Sequence, residues 1–150
     1  MGSLSDILAL AQARARELNL GYEGALTPRE AFEVWQRAPG AKLVDCRTRA
    51  EWDFVGRIPG VIEIEWQFYP GYPRNPHFFE QLRHQVDPES LLMFICRSGN
   101  RSHFAAAAAT EAGFRDCYNV LEGFQGNKDA NGHRDRLGGW RAAGLPWYQS

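Results

Sequence analysis

The run Leu91-Leu92-Met93-Phe94-Ile95-Cys96 is apolar throughout, and it gives way at once to the polar segment Arg97-Ser98-Gly99-Asn100-Arg101-Ser102. The five residues before Cys96 are too few for a globular helix, so they predict a buried strand. The following stretch, His103 to Ala112, is rich in alanine, has high helix propensity and stops at Gly113, a suitable C′ residue. One polar loop therefore joins the carboxyl end of a strand to the N-terminus of a helix. In open α/β sheets that edge is where ligands bind, and free backbone N–H groups there favour negative charge. A cysteine so placed is poised to react as the thiolate, which makes Cys96 the candidate nucleophile.

Similar patterns recur along the chain. Leu43-Val44-Asp45-Cys46, Val61-Ile62-Glu63-Ile64 and Cys117-Tyr118-Asn119-Val120-Leu121 predict three more strands. Ile7, Leu8, Ala11, Ala15 and Leu18 fall on one stripe of an amphipathic helix, with Gly21 as its stop. Thr27-Pro28-Arg29-Glu30 and Thr48-Arg49-Ala50-Glu51 both carry the capping-box pattern of a helix start. The turn-rich segment from Tyr69 to Pro76 leads into a helix starting at Asn75-Pro76 and carrying Phe78, Phe79 and Leu82. A glycine-rich connection from Glu122 to Gly139 precedes a short closing helix around Trp140. Strands alternating with helices predict an α/β fold, a central parallel sheet with helices on both faces.

The 150 residues suit one domain with a real core. A net charge of −1 gives no global basic field, so nucleic acid is not an expected partner. No apolar run approaches a membrane span, and the opening Met1 to Asp6 lacks the basic region of a signal peptide. The expectation is a soluble, cytoplasmic protein without a membrane partner. Cysteines 46, 96 and 117 show no C-x-x-C spacing, which argues against a disulfide framework or structural zinc and fits a reducing compartment. His77, His84, His103 and His133 show no metal-ligand spacing. Asn127 to Gly132 imitates the start of a calcium loop, but Gly138 occupies the position of the bidentate ligand, so a polar turn is expected and no metal.

Three ordered motifs carry a family resemblance. Leu43 to Arg47, with Glu51-Trp52 and Gly56-Arg57-Ile58-Pro59-Gly60-Val61, resembles the N-terminal signature of the rhodanese sulfurtransferases. Cys96 to Ser102 resembles their active-site loop, and Leu121 to Phe124 with Trp140 to Pro146 resembles their C-terminal signature. Arg57, Val61 and an enlarged segment from Phe124 to Arg136 depart from the pattern, and the last bears on substrate access. The resemblance covers roughly residues 24–148. It implies a rhodanese-like domain at 24–150, with residues 1–23 as an N-terminal helix packed on it.

The resemblance further implies that Cys96 takes a sulfane sulfur from a small anionic donor such as thiosulfate, becomes a persulfide, and passes the sulfur to a thiol or cyanide. A sulfur-accepting protein is a further candidate acceptor, and no cofactor is required. The residues read compatibly. Arg97 can recruit the anion, Ser98, Gly99 and Asn100 supply inward N–H groups, and Arg101 and Ser102 combine loop bracing and capping with substrate contact. Asp45 and Arg47, at the end of another strand, are expected to brace the site as an ion pair. Cys46 and Cys117 are expected to be buried and inert. Two alternatives remain: a persulfide carrier with little turnover, and a cysteine phosphatase or arsenate reductase. In the family pattern the latter carry one residue more between cysteine and arginine than the four found between Cys96 and Arg101.

Overall fold

In a computed structural model, which describes residues 2–150, the elements follow in the order α1 (Leu4–Glu17), β1 (Gly24–Leu26), α2 (Pro28–Arg37), β2 (Lys42–Asp45), α3 (Arg49–Phe54), β3 (Ile62–Glu63), α4 (Phe78–Gln85), β4 (Leu91–Ile95), α5 (Asn100–Glu111) and β5 (Asp116–Val120). Met1, first in the segment read for a targeting signal, lies outside the described residues. The strands form one sheet in the order β1-β5-β4-β2-β3, and every pairing is parallel.

Alternation along the central strands decides how the layers assemble. Successive strand residues point to opposite faces. Leu92, Phe94 and Cys96 accordingly join Val44 and Cys117 beneath Phe78 and Leu82 of α4 and the alanines of α5. Leu43, Met93, Ile95, Tyr118 and Val120 face the other way, against α1, α2 and the chain around Trp140 and Leu145. Burial on both faces explains why β4 has no polar position. Each fully buried side chain of this kind contributes roughly 1.5–3 kcal/mol. Ala105, Ala106 and Ala109 have no exposed surface, and side chains this small let α5 lie close on the sheet.

The chain runs outward from β2 to β3 and then returns to β4, whose crossover leads the opposite way to β5. The topological switch point therefore falls between β2 and β4, where a crevice opens beyond the carboxyl ends of the strands. Cys96 follows β4 there, and Asp45 ends β2 beside it.

Helix starts follow the sequence closely. Thr27 and Thr48 both close full capping boxes, with Glu30 and Glu51, and Ser3 closes a third with Asp6. Other expectations need correction. Helix α1 stops at Glu17, ahead of Gly21, because Asn19 takes the left-handed conformation, and Leu18 is left exposed. Helix α4 begins at Phe78, two residues beyond Pro76, without a side-chain cap. The closing helix around Trp140 is a series of turns over residues 140–144. Strand β1 was not anticipated. It is three residues long and is made by pairing with β5, where Gly24 sits opposite Tyr118. A Cβ at Gly24 would lie 2.6 Å from that ring, so only glycine fits. Asp129 accepts from the amides of Asn131 and His133, as expected of a polar turn.

One fully buried ion pair ties β2 to the C-terminal half. Arg47 donates from Nε to both carboxylate oxygens of Asp45 at 3.0 and 3.1 Å and from Nη2 at 2.8 Å, and also reaches the Gly56 carbonyl. Its guanidinium lies 4.1 Å from the centre of the Phe124 ring. Removing one partner of such a pair strands the other charge out of water. Asp45→Asn is therefore expected to destabilise the fold by about 3–5 kcal/mol in urea unfolding. A loss below about 1 kcal/mol would show the pair to be dispensable.

Candidate active site

Cys96 directly follows β4 and turns its sulfur under the first turn of α5. The Sγ accepts from the Gly99 amide at 3.2 Å and from the Ser102 amide at 3.3 Å, and lies 3.2 Å from the Ser102 hydroxyl. The N-cap position of α5 is Gly99, which has no side chain to cap with and a φ of 98°. The sulfur thus supplies the acceptor that a serine or aspartate side chain would supply at an ordinary helix start. The N–H groups and the positive end of the helix dipole both favour an anion at this atom. The amides of Asn100 and Arg101 make no hydrogen bond among the described residues, so they remain as donors for a further atom.

The loop is held from three sides. From β5, Asn119 accepts the Ser102 hydroxyl at 2.6 Å and donates to the Gly99 carbonyl at 3.2 Å. From the turn after β5, the amides of Phe124 and Gln125 donate to the carbonyls of Cys96 and Arg97 at 2.8 and 2.9 Å. From α3, Glu51 receives both Nη atoms of Arg101 at 2.7 and 2.9 Å. Burial opposes ionisation of Glu51, but the hydrogen bond and charge of Arg101 outweigh it and bring its pKa down to about 2.

A pocket of about 220 Å³ opens over the sulfur, lined by Tyr72, Cys96, Arg97, Ser98, Asn100 and Arg101. Every loop position singled out in the sequence is thus gathered around Cys96, and only the capping duty differs from the expectation. Arg101 lines the pocket and braces it as expected, with both its Nη atoms on Glu51. Ser102 is fully buried in the first turn of α5, where its amide and hydroxyl face the sulfur, and Gly99 holds the capping position instead. Asp45 and Arg47 lie behind the site as a buried pair. Three residues escaped the sequence reading. Glu51 was visible only as a capping-box residue and as part of the N-terminal motif, Asn119 only as a strand residue, and Tyr72 only as part of a turn-rich loop.

The other thiols are differently placed. Cys46 is buried, donates to the Ile95 carbonyl at 3.3 Å, and is pushed well above the ordinary thiol value by burial and by the nearby Cys96 charge. Cys117 lies near the start of β5, at the opposite edge of the sheet, and burial raises its pKa to about 11. Among the described residues no cluster of His, Cys, Asp and Glu could hold a metal, and no helix is long and apolar enough to cross a membrane.

With a thiol at the carboxyl end of a central parallel strand, seated in the amides of the next helix, the chain belongs to the Rhodanese-like domain family, whose match spans residues 29–130. An uncharacterized protein of Rickettsia conorii is 36% identical over 124 residues, covering 79% of this chain and 91% of that one. The crystal structure of Rv0390 from M. tuberculosis is similar with a TM-score of 0.79 and 46% identity, over 86% of this chain and 99% of that one. The polysulfide-sulfur transferase homodimer of Wolinella succinogenes shares the fold at 21% identity and a TM-score of 0.57, over 97% of this chain and 90% of that one.

Two expectations follow from the bracing. Gly123 has a φ of 64°, and a Cβ there would lie 2.6 Å from the Cys96 carbonyl oxygen and the Ser98 nitrogen, both backbone atoms. Gly123→Ala should therefore shift the loop and slow alkylation of Cys96 at least tenfold, with a fall in melting temperature; a wild-type rate would show that the loop tolerates displacement. Glu51 is ionised more readily in the folded chain, so its contribution is complete above 4.5 and is lost as pH falls toward 2. Urea midpoints measured across that window should drop, and Glu51→Gln should flatten the slope.

Proposed function

We propose that the protein is a sulfurtransferase that carries sulfur as a persulfide on Cys96. The observation that supports this most is the seat of the sulfur: two amides hold Sγ, while those of Asn100 and Arg101 stay free for one more atom. The Cys96 thiolate attacks the outer sulfur of a donor such as thiosulfate, a new S–S bond forms, and sulfite departs with the electron pair of the old one. The terminal sulfur of the persulfide, anionic, rests among the loop N–H groups. An acceptor thiolate or cyanide then attacks that sulfur, and Cys96 leaves as thiolate, so the cycle closes without net redox change. A thiol on another protein is a chemically equivalent acceptor. Three free cysteines suit a reducing compartment such as the cytoplasm.

Phosphate chemistry fits this loop less well. A tetrahedral oxyanion needs donors spread around a wider bowl and a guanidinium free to clasp its oxygens. Here only four residues separate Cys96 from Arg101, and that arginine is already bound to Glu51. A carrier that loads once and hands sulfur to a dedicated protein uses the same thiolate, and turnover with free thiols or cyanide separates it from an enzyme.

Mass spectrometry of the protein after thiosulfate treatment should find one added sulfur on the Cys96 peptide. Cys96→Ser should abolish both loading and thiocyanate formation with the fold intact, whereas Cys46→Ser and Cys117→Ser should retain them. Wild-type turnover by Cys96→Ser, or robust Cys96-dependent hydrolysis of aryl phosphates, would overturn the assignment.

A further inference from the structure

A second, apolar groove adjoins the pocket over Cys96. It has a volume of about 340 Å³ and is lined by Phe54 and Val55 at the end of α3 together with Tyr69 and Tyr72. Tyr72 also lines the pocket over the sulfur. Glu51, which lines the groove, grips Arg101, which lines the pocket. The two cavities therefore share a wall.

The rings of the groove are held open to solvent. Phe54 is 82% exposed and Tyr69 60%, although each would gain from burial. The tyrosines stand on a tight hairpin, in which Gln67 bridges to Arg74 and the Phe68 amide donates to the Pro73 carbonyl at 2.9 Å. The Arg74 guanidinium lies 3.4 Å from the centre of the buried Trp66 ring and anchors the base. Tyr69 and Tyr72 meet edge to face with centroids 5.9 Å apart, so each fixes the other. Tyr72 has a φ of 58°, a left-handed conformation that asparagine or glycine adopts more readily than a bulky residue. Its ring is thus kept where the turn by itself would favour something smaller.

The groove offers an occupant no free charge. Among the described residues that line it, Glu51 alone is charged, and Arg101 neutralises it. Glu51 also accepts from the amide and the hydroxyl of Thr48, both at 3.0 Å, which spends the polar side of the lining. Recognition is therefore by apolar surface, and the volume suits a single small organic group.

We propose that this groove is an acceptor subsite, which binds the apolar body of a small organic thiol while its sulfur reaches the persulfide on Cys96. This rests on the sulfurtransferase reading, and it adds the acceptor class: a thiol with an aryl or branched alkyl body, in preference to cyanide or a small polar thiol. The acceptor thiolate attacks the terminal sulfur, a new S–S bond forms, and the bond to Cys96 breaks with its electron pair returning to Sγ. The products are an organic persulfide anion and the Cys96 thiolate, with no net oxidation.

Alkylation of Cys96 reads the groove without any sulfur transfer. Iodoacetamide and N-benzyliodoacetamide are both neutral and present the same reacting carbon, and the second adds an aromatic ring. The ratio of their rate constants, normalised to that for N-acetylcysteine, should favour the benzyl reagent about tenfold in the wild-type protein. Phe54→Ser and Tyr72→Asn should each lower it by about threefold or more, whereas Phe54→Leu, still apolar, should retain most of it. Near 1 M salt the preference should persist, since no charge carries it. In turnover after thiosulfate loading, kcat/KM for 2-phenylethanethiol relative to cyanide should fall by a similar factor in Phe54→Ser.

A normalised ratio near one in the wild-type protein would overturn the proposal and leave the exposed rings to a macromolecular partner. A ratio unchanged in both Phe54→Ser and Tyr72→Asn would overturn it as well. Should Tyr72→Asn also slow iodoacetamide, the loop has moved, and the Phe54 pair decides: a ratio lowered by serine and kept by leucine supports the groove, and equal ratios refute it. The two readings fail differently. A protein that never loads sulfur but prefers the benzyl reagent through Phe54 keeps the groove and loses the transferase; one that turns over thiosulfate with cyanide at a normalised ratio near one does the reverse.

Discussion

The capping of α5 by the Cys96 sulfur is the contact around which the rest is arranged. A helix needs acceptors for its first amides, and here the acceptor is the Cys96 sulfur itself. Stabilising the helix start and stabilising the thiolate are therefore one and the same interaction. It requires the strand to end at the cysteine and the helix to begin four residues later, which the polar loop with Gly99 at its crown accomplishes.

Such a loop would not hold its shape alone, since its inward-turned amides leave its carbonyls needing donors elsewhere. Those donors come from distant chain segments. Asn119 serves the Gly99 carbonyl, Phe124 that of Cys96, and Gln125 that of Arg97. The Glu51–Arg101 pair pins the outer edge to α3, and the Asp45–Arg47 pair fills the space behind, stacked on Phe124. Polar satisfaction of the loop and its rigidity have the same source.

Charge at the pocket follows a similar economy. Arg101 at the end of the loop is neutralised by Glu51, whereas Arg97 lines the pocket without an ion pair among the described residues.

Much of this was legible in the sequence because it is written in local signals. The apolar run of β4, the capping boxes of α2 and α3 and the alanines of α5 each carry their own physical reason, and together they place Cys96 at a strand-to-helix junction. What sequence could not supply is whatever depends on residues far apart in the chain. Strand β1 has no intrinsic preference and exists through pairing with β5; Glu51 looks like an ordinary capping residue until Arg101 folds against it; Asn119 looks like any strand polar residue until Ser102 and Gly99 arrive. The turns at 140–144 replace an expected helix because Trp140 is buried whole against the sheet rather than along a helical stripe. Local periodicity and loop chemistry determined the layers and the candidate nucleophile, whereas the partners that satisfy and charge the loop were decided only in the tertiary structure, since hydrogen bonds and ion pairs between distant segments leave no periodic trace in either one.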